Sequence, residues 1–385
     1  MALLQNHSWV EISRSALLNN LRVHRNLLNS EVKLMAVVKS NAYGHDLVLS
    51  SQIAEKSGLV DWLGVASLGE ALFLRQAKIK LPILVLSYYQ PLVLKELVQG
   101  IRQNISFMLY ELSALRALER AAILSGRPAR VHLKIDTGMA RLGLRGKLAY
   151  DFIKLIKQSS WLKLEGVATH LATAEAKQPG FLLQQLGNFS FFLEKAAPWL
   201  PANYWQHVAC TAALTTVKAS QFNLVRLGIG YYGLWPSPEN EQVVKELHPS
   251  FKLKPALTWK TTVIELQHLP PKVTVGYGRT YTTARNILMA LLPVGYWDGY
   301  RRSLSNRGVV LIRGQACPVI GRVCMNITMV DVTEVKNIRV GDEVVLLGRQ
   351  GKAEVTAEQI ATKSGTINYE VVTGINPLLP RRAVK

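Results

Sequence analysis

Between residues 13 and 235 the sequence alternates short apolar runs with longer amphipathic segments, and this alternation constrains the fold more than any other feature of the chain. A brief apolar run bounded by polar or turn residues is the pattern of a buried strand, whereas apolar positions three and four apart mark a helix with one buried face. Candidate strands fall at 34–39, 62–67, 83–87, 105–110, 131–136, 164–170, 205–209 and 224–228. Between them lie segments rich in good helix formers, such as Gly69-Glu70-Ala71-Leu72-Phe73-Leu74-Arg75 and Ser113-Ala114-Leu115-Arg116-Ala117-Leu118. Eight such units predict an α/β fold, a (β/α)8 TIM-like barrel over residues 13–238. Most of the runs finish on a polar side chain: Lys39, Ser67, Ser87, Tyr110, Asp136, His170 and, within the eighth, Arg226. Strands often end where polar loops begin, so no single residue here is diagnostic. As a set they resemble an active-site rim, because catalytic groups in parallel barrels gather at the C-terminal ends of the strands.

After 236–249, a stretch carrying Pro, Ser, Glu and Asn, the helical period fades. Runs at 256–266, 287–294, 309–312, 329–332 and 344–347, bounded by Gly, Pro and charged turns, predict a mostly antiparallel β domain. One helix is expected there, starting at Thr356, whose hydroxyl can form a capping box with Gln359. A length of 385 residues, 49% of them hydrophobic, suits two globular domains. The expected division is a barrel over 13–238 and a β-rich domain made of 239–385 together with 1–12, the N-terminal strand joining the second domain.

Lys and Arg number 46 against 26 Asp and Glu, a formal net charge of +20. Such an excess is one electrostatic footprint of a nucleic-acid binder. The basic residues are nevertheless spread along the chain. The tightest groups are Arg301-Arg302 and Arg381-Arg382, and no basic run alternates with aromatics. A solvated basic surface is therefore expected, with no nucleic-acid partner. Three cysteines, Cys210, Cys317 and Cys324, form no CxxC pair and argue against a disulfide framework. The segment Met1 to His7 lacks the basic and apolar regions of a signal peptide. The longest apolar run, near 287–293, falls far short of the ~20 residues that span a bilayer. The reading is a cytoplasmic protein with no membrane partner and no metal site.

A lysine at the mouth of an apolar strand, as at Lys39, would be partly desolvated, which favours the neutral amine and lets it attack a carbonyl to form a Schiff base. His132, Lys134 and Asp136, spaced by two, share one face of a strand and need polar partners if that face points into a barrel. Taken alone, Gly228 reads as a tight turn and Tyr277 as a buried aromatic with a satisfied hydroxyl.

The run Val37-Val38-Lys39-Ser40-Asn41-Ala42-Tyr43-Gly44-His45 resembles the pyridoxal-phosphate lysine motif of the alanine racemase family. The resemblance extends, in the family's order, through the runs beginning at Val131 (VHLKIDTGMARLG), Val225 (VRLGI) and Tyr232 (YGL) in the first domain. In the second it continues through those beginning at Gly276 (GYG), Pro293 (PVGYWDGY), Gly321 (GRVCMN) and Thr366 (TINYE). It covers the chain from about residue 8 to the C-terminus and implies a pyridoxal-phosphate-dependent isomerase that interconverts L-alanine and D-alanine, supplying D-alanine for peptidoglycan. It implies a Schiff base between Lys39 and pyridoxal 5'-phosphate, with Tyr43, Thr211, the N–H groups of Gly228 and Ile229, and Tyr369 around the phosphate. Arg226 would face the pyridine nitrogen and, being always charged, keep it unprotonated, a weaker electron sink that favours reprotonation at the α-carbon. Two bases follow from the resemblance: Lys39 for the D-alanine face and Tyr277 of the partner subunit for the L-alanine face. His170, against the cofactor, and Arg226, acting through His207, would help to lower the pKa of that tyrosine. Lys134 would be carbamylated and would orient Arg141, which binds the substrate carboxylate, with Asp136 in support. The N–H of Met325 of the partner subunit would take the other side of that carboxylate, and Tyr296 and Tyr369 would narrow the pocket to a methyl group. A homodimer with shared active sites follows.

The sequence departs from the family at Asp46, where glycine is common, Cys210 (Asn), Thr211 (Ser) and Asn326 (Asp). Thr211 keeps the hydroxyl that a phosphate contact needs, and no departure removes a base. A broader racemase acting on serine or lysine is the nearest alternative, and a basic nucleic-acid-binding protein a remote one.

Overall fold

The computed structural model describes residues 7–87, 89 and 93–385. Its largest parallel sheet has eight strands: β2 (Lys33–Val37), β3 (Trp62–Val65), β4 (Ile83–Val85), β5 (Ile105–Leu109), β6 (Ala129–Lys134), β7 (Leu162–Ala168), β8 (Trp205–His207) and β9 (Leu224–Leu227), preceded in the chain by β1 (Trp9–Ser13). The spatial order is β8-β7-β6-β5-β4-β3-β2-β9, so all eight predicted runs are strands of one barrel. The β8/β9 seam has no ladder of its own. Instead the N–H of Arg226 donates to the Ala209 carbonyl at 3.0 Å. The Asn223 side chain bridges the same seam, accepting from Gln206 N–H at 2.6 Å and donating to the Tyr204 carbonyl at 2.9 Å.

Strands such as β4 and β5 are buried on both faces, which is why they read as continuous apolar runs rather than alternating ones. Met35, Trp62, Leu84, Met108, Ala168 and Leu224 form one packed cluster drawn from six of the strands. Polar groups are admitted to this interior only where space is left for them. Gly166 of β7 faces the ring of His132, and a Cβ there would lie 2.3 Å from Nδ1.

The chain divides into two compact units. One comprises residues 16–42 and 47–254, and the other comprises residues up to Ser15, Tyr43–Asp46 and Pro255–Lys385. Residues 1–6 of the expected N-terminal segment lie outside the described residues. In the second unit β1 pairs antiparallel with β10 (Leu257–Thr262) and parallel with β14 (Arg381–Val384). A second sheet joins β11 (Glu265–Leu269), β12 (Ile287–Leu292) and β13 (Thr328–Asp331), all antiparallel. Val275, Ile287, Met289, Ile320 and Met329 pack together in this unit.

Two helices depart from the sequence reading. Pro238–Leu247 is helical and falls within the barrel unit, in a stretch that was expected to open the β-rich domain and where the sequence shows no helical period. Ser237 caps it by accepting the Asn240 N–H, and only Asn240 and Val244 are buried, so its face carries almost no apolar period to read. In the second unit the expected helix, Ala357–Ser364 with its Thr356/Gln359 capping box, is followed by another at Asn368–Thr373, too short to display a period.

Candidate functional site

β2 stops at Val37, Lys39 follows, and the chain then enters a left-handed turn. Ser40, Asn41, Ala42 and Tyr43 have φ of 56°, 52°, 52° and 53°, and none is glycine. Each such residue costs about 1–2 kcal/mol, so the turn persists only because its surroundings hold it. The Ala42 N–H donates to the Val38 carbonyl at 2.8 Å, the Asn41 carboxamide oxygen accepts from Leu47 N–H at 2.8 Å, and the Glu70 carboxylate accepts from Ser40 N–H at 2.6 Å. Burial lowers the pKa of the Lys39 amine, the Arg141 charge lowers it further, and Glu70 opposes both. The neutral amine that Schiff-base chemistry needs is thereby favoured. Asp46, where the family commonly has glycine, also sits at positive φ, 70°.

Arg226, on β9, is fully enclosed. Nη1 donates to the His207 carbonyl and Nη2 to the carbonyls of Thr169 and Val208, at 2.7, 2.7 and 2.8 Å. Burial lowers its pKa to about 10, which leaves it a cation at neutral pH. Nη1 also lies 2.7 Å from His207 Nδ1, and Nη2 lies 3.4 Å from His170 Nδ1. Since guanidinium only donates, His207 must accept at Nδ1 and carry its hydrogen on Nε2. That hydrogen points to His132 Nδ1 at 2.9 Å, so His132 carries its own on Nε2, 3.4 Å from Glu165 Oε2. One arginine thus sets the tautomers of two buried imidazoles.

Burial, with Arg226 next, drives the His170 pKa down to about 3 and that of His207 well below its usual value. His24, enclosed behind Gly230, falls to about 4 through burial alone, its backbone bond to Asn20 opposing. These groups refuse protons that the unfolded chain accepts below pH ~6.5. Their lowered folded pKa values mean that stability is present above pH ~6.5 and is lost progressively as the pH falls toward 4. At about 1.4 kcal/mol per unit of pKa difference, the loss by pH 4.5 should reach several kcal/mol. Thermal unfolding followed from pH 7.5 to 4.5 checks this, and a flat midpoint would contradict it.

Lys134 closes β6 and is largely buried. Burial lowers its pKa to about 8, with Arg226 and Arg141 adding to the effect and Asp136 opposing it. Asp136 is engaged elsewhere: Oδ1 accepts the N–H groups of Gly138, Met139 and Ala140, and Oδ2 takes a two-pronged contact from Arg145 at 3.0 and 2.7 Å. Arg141 is exposed in the loop that Asp136 organises. Sequence reasoning missed Arg145, which nothing local marks. It also missed Glu70, although Ser67-Leu68-Gly69-Glu70 has capping-box spacing.

Thr211 opens the helix Thr211–Thr216, and its hydroxyl accepts the N–H groups of Gly228 and Gly230 at 3.0 and 3.4 Å. The turn after β9 is a four-residue 3-10 turn, Ile229–Tyr232, rather than the start of a regular helix. It is anchored by Tyr232 Oη donating to the Val37 carbonyl and Tyr231 Oη to the Ser50 carbonyl, at 2.9 and 2.7 Å. A Cβ on Gly230 would meet His24 Nε2 and Thr211 Cγ2, each at 2.7 Å. A hydroxyl that accepts two amides and keeps its own hydrogen to donate, a tight glycine-bearing turn beside it and a lowered-pKa lysine in one barrel unit are what a phosphorylated aldehyde requires, so the residues present fit pyridoxal 5'-phosphate.

The barrel unit therefore holds Lys39, Lys134, Asp136, Arg141, His170, His207, Thr211, Arg226, Gly228 and Ile229, and the second unit holds Tyr43, Tyr277, Tyr296, Met325 and Tyr369. Within the second unit the rings of Tyr43 and Tyr369 lie 6.2 Å apart. Tyr296 N–H donates to Cys324 and Trp297 N–H to Met325, which brings two more expected site residues together. Tyr277, Tyr296 and Met325 are all exposed, Tyr277 the most at 73%.

Comparison with known proteins bears on this arrangement. The family model described as the alanine racemase N-terminal domain matches residues 12–236, and that of the C-terminal domain matches 256–383. An alanine racemase of Symbiobacterium thermophilum is 42% identical and one of Halothermothrix orenii 40%, each alignment covering 97% of this chain and 96% of the relative. Among solved structures, alanine racemase of Clostridium difficile 630 superposes with a TM-score of 0.91 at 35% identity, covering 99% of this chain and 96% of that one. That of Bacillus anthracis with bound L-Ala-P gives 0.90 at 33% identity, covering 100% and 96%. With both halves matched and relatives aligned over nearly the whole length, the chain belongs to the alanine racemase family.

Proposed function

We propose that the barrel mouth binds pyridoxal 5'-phosphate through Lys39 and moves the α-proton of alanine between two bases. The reaction is the interconversion of L- and D-alanine, and the enzyme is a pyridoxal-phosphate-dependent isomerase. The observation that carries the site assignment is Arg226, a buried cation whose partners are three carbonyls and two imidazoles. When bound, the cofactor supplies a ring system that withdraws electrons from the α-carbon. Arg226 limits that withdrawal, since it offers the ring nitrogen a hydrogen bond and no transferable proton. Thr211, the Gly228 and Ile229 amides, Tyr43 and Tyr369 hold the phosphate.

Lys39 carries the proton on the D-alanine face and Tyr277 of the partner subunit carries it on the L-alanine face, which requires a homodimer. Arg141 binds the substrate carboxylate opposite the N–H of Met325 of the partner subunit, and Tyr296 limits the side chain to a methyl group. Lys134, with a pKa of about 8, offers a neutral amine to CO2 more readily than an ordinary lysine, which supports a carbamate there that turns a repulsive neighbour of Arg141 into an attractive one. His170 and His207 stay neutral, and Asp136 shapes the loop that carries Arg141. A cytoplasmic location and a supply of D-alanine for peptidoglycan complete the reading.

The test is α-proton exchange into D2O with each alanine enantiomer and cofactor-loaded protein. Both enantiomers should exchange and interconvert. Absence of exchange would overturn the reading, and faster turnover of serine or lysine in an amino-acid panel would favour the broader racemase.

A further inference from the structure

Glu70 is the third residue of the helix Leu68–Gln76 and completes its capping box, with the Ser67 hydroxyl accepting the Glu70 N–H. Its Oε2 accepts the N–H groups of Ala66 and Ser67 at 2.8 and 3.2 Å, which already satisfies the cap. Its Oε1 reaches across to the preceding barrel unit and accepts the Ser40 N–H at 2.6 Å, the shortest of these contacts. That amide is the first of the left-handed turn and belongs to the residue directly after Lys39. A cap needs only one of the two carboxylate oxygens. The other is directed at the strained turn, thirty positions away in sequence.

We propose that Glu70 is a positioning residue for Lys39, clamping the left-handed turn through the Ser40 amide and placing its negative charge beside the lysine. The inference rests on the reading of Lys39 as the cofactor-binding lysine. The charged and titratable groups around Lys39 are Arg141, Lys134, His170 and Glu70, and Glu70 is the one that favours the protonated amine. Without it, burial and the Arg141 charge would act on the amine unopposed. The clamp holds the lysine's backbone where β2 delivers it, while the charge keeps the amine from losing its proton too readily to serve as an acid in the return step.

Two variants separate the clamp from the cap. Glutamine at the third helical position also completes a capping box, and its single carbonyl oxygen serves the two cap amides better than the one Ser40 amide. Glu70→Gln should therefore keep the helix capped while turning an NH2 group toward the Ser40 N–H. Glu70→Ala removes both functions. The full-length protein is followed by amide hydrogen exchange over residues 38–44 and 66–76. With cofactor removed, it is also followed by the pH dependence of Lys39 acylation by an amine-reactive reagent.

In Glu70→Gln, exchange in the turn is expected to accelerate about tenfold, the equivalent of one lost hydrogen bond. The 66–76 segment should stay protected, and the acylation midpoint should move to lower pH. Glu70→Ala should loosen both segments and move the midpoint in the same direction. The proposal is overturned if both variants leave turn exchange and the acylation midpoint at wild-type values, or if only the 66–76 segment responds, as a simple helix cap would. Neither readout depends on turnover. A wild-type protein that fails to racemise alanine refutes the functional reading, and the exchange and acylation arms still decide the clamp.

Discussion

Lys39→Ala is expected to lower alanine racemisation by at least about 10⁴-fold, because one substitution removes both the cofactor's covalent anchor and one of two bases. The remaining base can take a proton from one face and return it only to the same face, which gives exchange without inversion. Stability should move the other way. The Lys39 amine is held among Arg141, Lys134 and its own desolvation penalty, all of which disfavour the ammonium form. Its removal should leave the thermal midpoint unchanged or slightly raised. Turnover in both directions together with a melting curve checks the pair of effects. A variant that racemises at more than a few per cent of the wild-type rate would remove Lys39 from the mechanism. A folded variant whose activity returns on adding a small primary amine would confirm that the amine itself was what was lost.

Arg226→Ala should show the largest loss of stability. Its guanidinium satisfies the carbonyls of His207, Thr169 and Val208, and truncation leaves the Thr169 and Val208 carbonyls without donors and the His207 carbonyl with only the Thr169 N–H at 3.3 Å, beside a cavity. A cost of about 3–5 kcal/mol is expected, readable as a shift of the denaturation midpoint. The histidine tautomers should loosen with it, because no obligate donor then faces His207 Nδ1. Arg226→Glu asks a chemical question of the same position. A carboxylate there would let the cofactor ring nitrogen keep a proton and strengthen the ring as an electron sink. Racemisation should fall by about a hundredfold or more, while release of pyruvate from alanine, limited to one equivalent per bound cofactor because the amino group would remain on the cofactor, rises from a negligible level. If racemisation falls with no rise in pyruvate, the arginine holds the fold and does not steer the reaction.

Much of the fold was legible because it is written locally. Each barrel strand is a short apolar run and each helix an amphipathic segment, so the eight strands could be placed to within a few residues. The misses have the same origin. Helix Pro238–Leu247 buries too little for its period to stand out, and Asn368–Thr373 is too short to show one. The candidate site was less evenly legible. Lys39, Lys134, Arg226 and the glycines after β9 sit at strand ends where such residues are unusual, and the surrounding motifs identify them. Arg145, Glu70 and the Glu165 end of the histidine chain carry no such mark, since each acts on a residue on another strand or loop.

What the sequence determined alone was the period of each segment, the polar residues delivered to the strand ends and, through ordered motifs, the family. What tertiary structure decided was which charges meet. Asp136 lies two residues from Lys134, but it is taken by Arg145 and three loop amides, so Lys134 keeps a lowered pKa among cations. Glu70 belongs by sequence to a helix cap and by geometry also to the turn beside Lys39. The reason is physical: periodicity follows from neighbours along the chain, whereas hydrogen-bond direction and electrostatic balance in a desolvated site depend on distances of a few ångströms between residues far apart in sequence.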